Sequence, residues 1–407
     1  MKKHSSGADC GFFSSTTAAA VALLIVLDLW LVLAHPLANV TTASLDRGEI
    51  ASAVRVYRQQ EVAPDLVLLG SSLVTAPIMQ GEASFHQEPI ARMIHRRSHL
   101  LEAALSERLG RKPQVFCLAA GGEMASDAYL ITKNVLVRSR LPSAIIYGIA
   151  PRDFQDNLMP GIQSSEAFQV LSSLADLMPV FRFSEQSWAG KTDLVLGRLW
   201  ALFRFRSDIK VYLTLRIKKL MERALPYVVF EKYGSTLELK AQRRGQFPEE
   251  AKGTPTTWPG LAMEHNDPER ERCEYIRRYN PVCSSLVESE FSYFEHLLEL
   301  CRQRGVPLLV VNMPLSRLNK SLLPDQFYRD YLIRVAALCR KHGAELADLN
   351  QSRWDQEANF VDSVHLTPEA GLRFLRALAD LVARSPVSVR LRDSRGALAS
   401  GDNRSGQ

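Results

Sequence analysis

Apolar residues follow three regimes along this chain. Near the N-terminus, residues 16–34 are apolar almost without interruption, Asp28 being the only charge. From residue 64, short apolar runs alternate with longer stretches in which apolar positions recur every three to four residues. The short runs at 65–69, 115–119, 143–149, 306–313 and 344–349 read as buried strands. The longer ones at 88–109, 124–137, 288–304, 325–342 and 367–383 read as amphipathic helices. Strands alternating with helices of this length predict an α/β fold, with a parallel sheet covered on both faces. Between the halves of this pattern, residues 155–287 turn to helical segments and a polar stretch bearing Pro and Gly, which marks a mainly helical insertion. The α/β domain is thereby expected at 61–154 and 288–384.

The first regime bears on location. Residues 16–34, as a helix, reach about 28 Å, close to the ~30 Å of a bilayer's hydrocarbon core. A cleaved signal peptide has a shorter apolar core and a small-residue site, whereas His35, Pro36 and Leu37 follow here. A buried soluble helix is the other alternative, since Asp28 at mid-span costs about 2.5–3.5 kcal/mol on insertion. The surrounding Leu, Ile, Val and Trp outweigh that cost, so 16–38 reads as an uncleaved transmembrane signal anchor. Lys2 and Lys3 place the tail 1–15 in the cytoplasm and the main domain on the periplasmic or extracytoplasmic side. Asp28 is then a tolerated polar residue or one that meets a partner helix. Residues 39–60 read as a juxtamembrane linker with a short helix, and 385–407, rich in Ser, Gly and Arg, as a disordered tail.

Composition narrows the classes. With 46% hydrophobic and 23% charged residues over 407, the chain is neither wholly disordered nor collagen-like nor polytopic. Its net charge of +6 is local. Residues 198–223 carry eight basic side chains against Asp208 and Glu222, which matches the excess of the whole chain. Trp200, Phe203, Tyr212 and Leu213 lie among them, so the stretch suits an anionic membrane surface or polymer, or the basic outer face of a packed helix pair. No basic-aromatic recognition motif is present, and a nucleic-acid partner is not expected. The six cysteines lack metal-ligand spacing; Cys273 and Cys283 flank a polar turn and could pair as a disulfide in an oxidising compartment.

In an open parallel sheet, ligands bind beyond the carboxyl ends of the strands. Three groups fall there. Gly70-Ser71-Ser72-Leu73 follows the first strand and can present a serine hydroxyl. Gly121-Gly122 follows the second, where a glycine allows close approach and offers an N–H to a developing oxyanion. Asp362-Ser363-Val364-His365 precedes the last helix, which Thr367 and Pro368 open as N-cap and first residue. Asp362 can orient the His365 imidazole, which can then serve as general base for a serine hydroxyl.

These blocks, with 143–153 and 306–316, resemble the SGNH (GDSL-type) hydrolase-like superfamily. Within it, the chain looks most like bacterial membrane-anchored members related to the D-alanyl transfer protein of teichoic acid synthesis and the alginate O-acetyltransferases. The resemblance covers about 65–153 and 290–383. It implies a flavodoxin-like three-layer α/β/α fold, with Ser72 as nucleophile, His365 as base, Asp362 as its orienter and Gly122 in the oxyanion hole. Ser71 stands where the family usually has Asp, as in the D-alanyl transfer relatives. Pro151-Arg152-Asp153 stands where it supplies an oxyanion Asn, so Arg152 is either a substitute donor or half of an ion pair with Asp153. The implied function is a membrane-anchored acyltransferase or esterase acting on a cell-envelope or exported polysaccharide, with a membrane-embedded acyl donor as a further partner. The alternative is an inactive SGNH-fold protein that binds glycan or scaffolds an assembly.

Asn312, closing the fourth strand, is a further candidate for substrate contact or a turn former. His95 and His99 read as i, i+4 neighbours on a solvated basic helix face without a third ligand. Neither a cofactor nor a metal is expected.

Overall fold

The computed structural model describes residues 15–34, 49–87, 90, 95–159, 162, 165–183, 188–204, scattered positions between 209 and 221, and 268–393 except 352. The chain divides into two compact units, Met1–Leu45 with Gln186–Gln242, and Asp46–Glu185 with Arg243–Gln407.

The second unit is built on five parallel strands, β1 (Leu66–Gly70), β2 (Val115–Cys117), β3 (Ala144–Ile149), β4 (Leu308–Asn312) and β5 (Glu345–Asp348), in the order β2-β1-β3-β4-β5. This is the flavodoxin-like order, whose switch point lies between β1 and β3. Every residue of β1 to β4 is buried, as expected of strands covered on both faces. Alternate side chains face opposite ways. Leu66, Leu68, Ile146 and Leu309 join a core under the helices Ser72–His86, His99–Leu109 and Pro368–Arg384. Val67, Leu69, Ile145, Tyr147 and Val310 join the other, under Glu49–Arg58, Ala125–Asn134, Ser284–Arg304 and Phe327–His342. The fold is therefore α/β with three layers.

Several elements differ from the sequence reading. Residues 88–109 are not one helix: it begins only at His99, after Ser98, while Arg97 makes an antiparallel bridge to Phe116. Glu49–Arg58 is more than a linker helix, because Ile50, Ala53, Val54 and Tyr57 enter the core. Pro268–Tyr279, read as part of the insertion, puts Tyr275 and Tyr279 into the opposite core. Of the tail 385–407, expected to be disordered on composition, Val387–Asp393 forms a helix, since Val387 and Leu391 are apolar and buried, while 394–407 lie outside the described residues. Cys273 and Cys283 are both free. Cys273 sits within a helix and Cys283 caps the next, its Sγ 3.3 Å from Ser285 Oγ.

In the first unit, Ser15–Ala34 is a single helix, and its stretch Thr17–Ala34 is long and apolar enough to cross a membrane. Asp28 has a partner: its Oδ1 accepts a hydrogen bond from the Leu202 N–H at 2.7 Å. Leu31 and Ala201 are buried together beside it. Half of the basic stretch 198–223 lies outside the described residues.

Candidate active site

Two glycines set the base of the site. Gly70 ends β1 at φ +132°, a conformation L side chains rarely adopt, directly opposite Gly148 in β3. A Cβ on Gly70 would meet Gly148 O at 2.4 Å and Val74 Cγ2 at 2.8 Å. The chain then turns through Ser71 into the helix Ser72–His86, so Ser72 is its first residue and its N–H has no acceptor within the helix.

The other half comes from the loop before Pro368–Arg384. Thr367 caps that helix by accepting from the Ala370 N–H at 3.2 Å. Antiparallel bonds join Val361 N–H to His365 O (2.9 Å) and Thr367 N–H to Asn359 O (2.8 Å). Asn319 braces the loop from below, accepting from Tyr279 Oη at 2.9 Å and donating to Ser363 Oγ at 3.1 Å. Helix contact closes the gap to Ser72. A Cβ on Gly371 would meet the Pro77 backbone at 3.3 Å, so glycine lets Pro368–Arg384 approach Ser72–His86 closely.

The result is a continuous hydrogen-bonded chain. Ser72 Oγ lies 2.8 Å from His365 Nε2, and His365 Nδ1 lies 2.6 Å from Asp362 Oδ2. Asp362 Oδ1 accepts from the N–H groups of Val364 (2.8 Å) and His365 (2.6 Å). Burial pushes the Asp362 carboxyl up, but the His365 hydrogen bond and charge and these amides outweigh it and hold it below the usual range. An imidazole so held keeps its Nδ1 proton and leaves Nε2 to take one from Ser72.

Arg152 lines the same cleft as Ser72, and Gly122 lies beside Arg152. Gly122 has φ +78°, and a Cβ there would lie 3.6 Å from Arg152 Nη2. The Gly121-Gly122 loop is tied down by the Gly121 N–H donating to Glu49 Oε2 at 3.0 Å. Arg96, fully buried, donates to Ala119 O at 3.0 Å and Glu49 O at 2.9 Å. Arg152 pairs not with Asp153 but with Asp156, Nε to Oδ2 at 3.0 Å; Arg278 shares that carboxylate. Asp153 turns inward and accepts from the Ala150 N–H at 2.8 Å; burial raises its carboxyl to about 7, against the pull of Arg152 and of bonds from Ala150 and Ser71. Ser71, Ser72, Arg152, Tyr275, Leu315 and Val364 are among the residues lining the narrow cleft between these groups.

The structure thus brings together Ser72, His365, Asp362, Gly122 and Arg152, and leaves Asn312 out. Asn312 is fully buried and satisfied by Asp348 (2.8 Å), Tyr328 (3.0 Å) and Tyr331 (3.1 Å), so it locks β4 to β5 and the following helix. Sequence reasoning missed Asp156, Arg278 and Tyr275, which hold or flank Arg152. The four-residue spacing of Arg152 and Asp156 is a signal for that pair alone, and nothing local marks Arg278 or Tyr275. It also missed Arg96, whose basic neighbours made it look like part of a solvated face.

Fold and site define an α/β protein with a hydrogen-bonded Ser–His–Asp group at the switch point of a parallel sheet. The chain belongs to the family described as protein of unknown function (DUF1574), whose model matches residues 112–379. That span contains Gly122, Arg152, Asp362 and His365, while Ser72 lies before it. A search of curated proteins finds no match.

Proposed function

We propose that this protein is a membrane-anchored, SGNH-like serine enzyme that moves or removes acyl groups on a cell-envelope or exported polysaccharide. The observation that carries the reading is the chain Ser72 Oγ–His365 Nε2–His365 Nδ1–Asp362, at 2.8 and 2.6 Å. In this reading Ser72 Oγ attacks the ester carbonyl as its proton passes to His365 Nε2. Asp362 stabilises the imidazolium through Nδ1. The N–H groups of Ser72 and Gly122 receive the charge on the carbonyl oxygen, with the Arg152 guanidinium in place of the Asn of related enzymes. His365 then gives its proton to the departing alkoxide, leaving an acyl-Ser72. Water or a sugar hydroxyl, deprotonated by the same nitrogen, releases the acyl group.

The membrane reading rests on Thr17–Ala34 and the lysines before it, which favour a cytoplasmic N-terminus and an extracytoplasmic catalytic unit. Such an anchor suits work on polymers at the membrane, with the acyl group handed over by an embedded donor. The basic residues of 198–223 would face an anionic lipid surface or the polymer.

The test is labelling by a fluorophosphonate. Wild-type protein is expected to be labelled at Ser72, and Ser72→Ala and His365→Ala to lose the label. A folded wild type that takes no label would overturn the enzymatic reading and favour a non-catalytic glycan-binding role.

A further inference from the structure

The far end of the helix that begins at Ser72 carries a second cluster. Glu82 and His86 are four residues apart near its last turn, His99 opens the helix His99–Leu109, and His95 lies just before that helix. Glu82 Oε2 is 2.8 Å from His95 Nε2, 2.8 Å from His99 Nδ1 and 3.5 Å from His86 Nε2. His86 Nε2 is itself 3.2 Å from His99 Nδ1. All four donor atoms lie within 4.8 Å of one another.

Glu82 Oε2 can accept from His95 Nε2 and His99 Nδ1 at 2.8 Å each, whereas His86 Nε2, 3.5 Å from Glu82 Oε2 and 3.2 Å from His99 Nδ1, is left to a longer or shared hydrogen bond. A cation at the centre would take a lone pair from all four atoms at once. Imidazole nitrogen and carboxylate oxygen bind Zn²⁺ at about 2.0–2.2 Å, which sets ligand atoms of a tetrahedron about 3.3–3.5 Å apart. Four of the six ligand–ligand distances are 2.8–3.5 Å and all six are within 4.8 Å, so side-chain adjustments of about an ångström bring the set to that spacing.

We propose that Glu82, His86, His95 and His99 form a closed four-coordinate site for Zn²⁺ or a similar divalent transition-metal ion. Supporting contacts hold the ligands in place. The Leu100 N–H donates to Glu82 Oε1 at 3.1 Å, which fixes the carboxylate and leaves Oε2 for the metal. Phe85 stacks on the His99 ring with centroids 5.7 Å apart. The Glu82 side chain is fully buried, while the three imidazoles are 22–31% exposed, which leaves a path for the ion to enter.

Its role is structural. Four protein ligands leave no open position for substrate. Glu82 and His86 follow Ser72 by ten and fourteen residues, about 15–21 Å along the helix axis. The metal would pin that helix to the segment carrying Arg96, which braces the Gly121-Gly122 loop.

The experiment uses untagged full-length protein in detergent, stripped with EDTA and titrated with Zn²⁺ and with Co²⁺. One equivalent of Zn²⁺ per chain and a raised Tm are expected, and the Co²⁺ form should show the intense visible bands of a four-coordinate site. Outer-shell losses typically weaken metal sites by about 10–100-fold, so His86→Gln or His95→Gln should weaken Zn²⁺ binding by at least about 100-fold. Both should also abolish the Tm rise. Circular dichroism of the stripped variants checks that they fold, and Glu82→Gln gives an independent test should either histidine variant misfold. Wild type that binds no stoichiometric Zn²⁺ and shows no Tm shift overturns the proposal, as do folded variants that bind like wild type. Metal content and the Co²⁺ spectrum are read without reference to the serine chemistry, so either proposal can fail alone.

Discussion

Arg152 Nη2 stands 3.6 Å from the point where a Cβ on Gly122 would lie, with its Nε held at 3.0 Å by Asp156. A fixed cation therefore lies beside a glycine in the left-handed region, at the cleft that Ser72 also lines. If this pair receives the oxyanion, Arg152→Ala should slow acylation by about 10²–10³-fold, the usual cost of losing one such donor. Arg152→Lys should recover only part of the rate, because an ammonium cannot reproduce the planar fork. The fluorophosphonate labelling rate measures both. A rate for Arg152→Ala within a few-fold of wild type would leave the guanidinium without a part in the chemistry.

Asp362 fixes the imidazole through Nδ1 and is itself fixed by two amides. Asp362→Asn keeps the size of the side chain but allows the wrong tautomer at His365. A loss of about 10⁴-fold in acylation is expected. In residual ester turnover, Asp362→Asn combined with Ser72→Ala should lose little beyond Ser72→Ala alone, since the three residues act as a unit. Additive losses in the double variant would contradict a coupled group.

The cleft at Ser72 is narrow, enclosing about 10 Å³ of free volume, near the least that can hold one water. A short acyl group such as acetyl therefore requires less opening of the cleft than a long chain. Hydrolysis of nitrophenyl esters should fall steeply from acetate to octanoate. A preference for octanoate would mean that Tyr275 and Leu315 open a larger pocket than the one seen.

Much of this architecture was legible because buried parallel strands are continuous apolar runs, and all five short runs contain a strand. The Ser72, Gly122 and His365 blocks were legible because each follows a strand or precedes a well-capped helix. What escaped notice depends on tertiary contact. His95 and His99 have helical spacing, but the chain before Ser98 is extended because Arg97 pairs with Phe116 and Arg96 is drawn inward to Glu49 and Ala119. Glu82 and His86 come from the preceding helix, and no local pattern pairs them with His95 and His99. Asn312 sits at a strand end, as a ligand-binding residue would, yet Tyr328, Tyr331 and Asp348 claim it. The chain past 384 looks polar in composition, and the helix Val387–Asp393 within it depends on the burial of Val387 and Leu391.

Gly70 should tolerate no side chain. Its φ of +132° and the 2.4 Å approach to Gly148 O mean that Gly70→Ala combines backbone strain with a backbone clash. Strain of this kind costs about 1–3 kcal/mol, and overpacking about as much again. Thermal unfolding should show a clear drop in Tm, whereas Gly110→Ala, also at positive φ (+72°) but with open space around it, should show a smaller one. Equal drops would assign the whole cost to the dihedral angle.

Asp153 links the site to pH. Burial raises its carboxyl to about 7, whereas an unfolded Asp titrates near 3.9. Between those values the native state keeps a proton that the unfolded chain has released. The stabilisation is therefore full below about pH 4 and is lost as pH rises to about 7, with a total on the order of a few kcal/mol. Asp127, raised by burial to about 6, adds to the same slope over the lower part of that range. Asp153→Asn keeps an oxygen to accept from the Ala150 N–H and removes the titration. The variant should match wild type near pH 4, exceed it in stability at pH 8, and show a shallower slope between. Chemical denaturation of the full chain at several pH values reads this directly. Parallel curves for variant and wild type would mean that Asp153 ionises in the folded protein at the pH of an ordinary carboxylate.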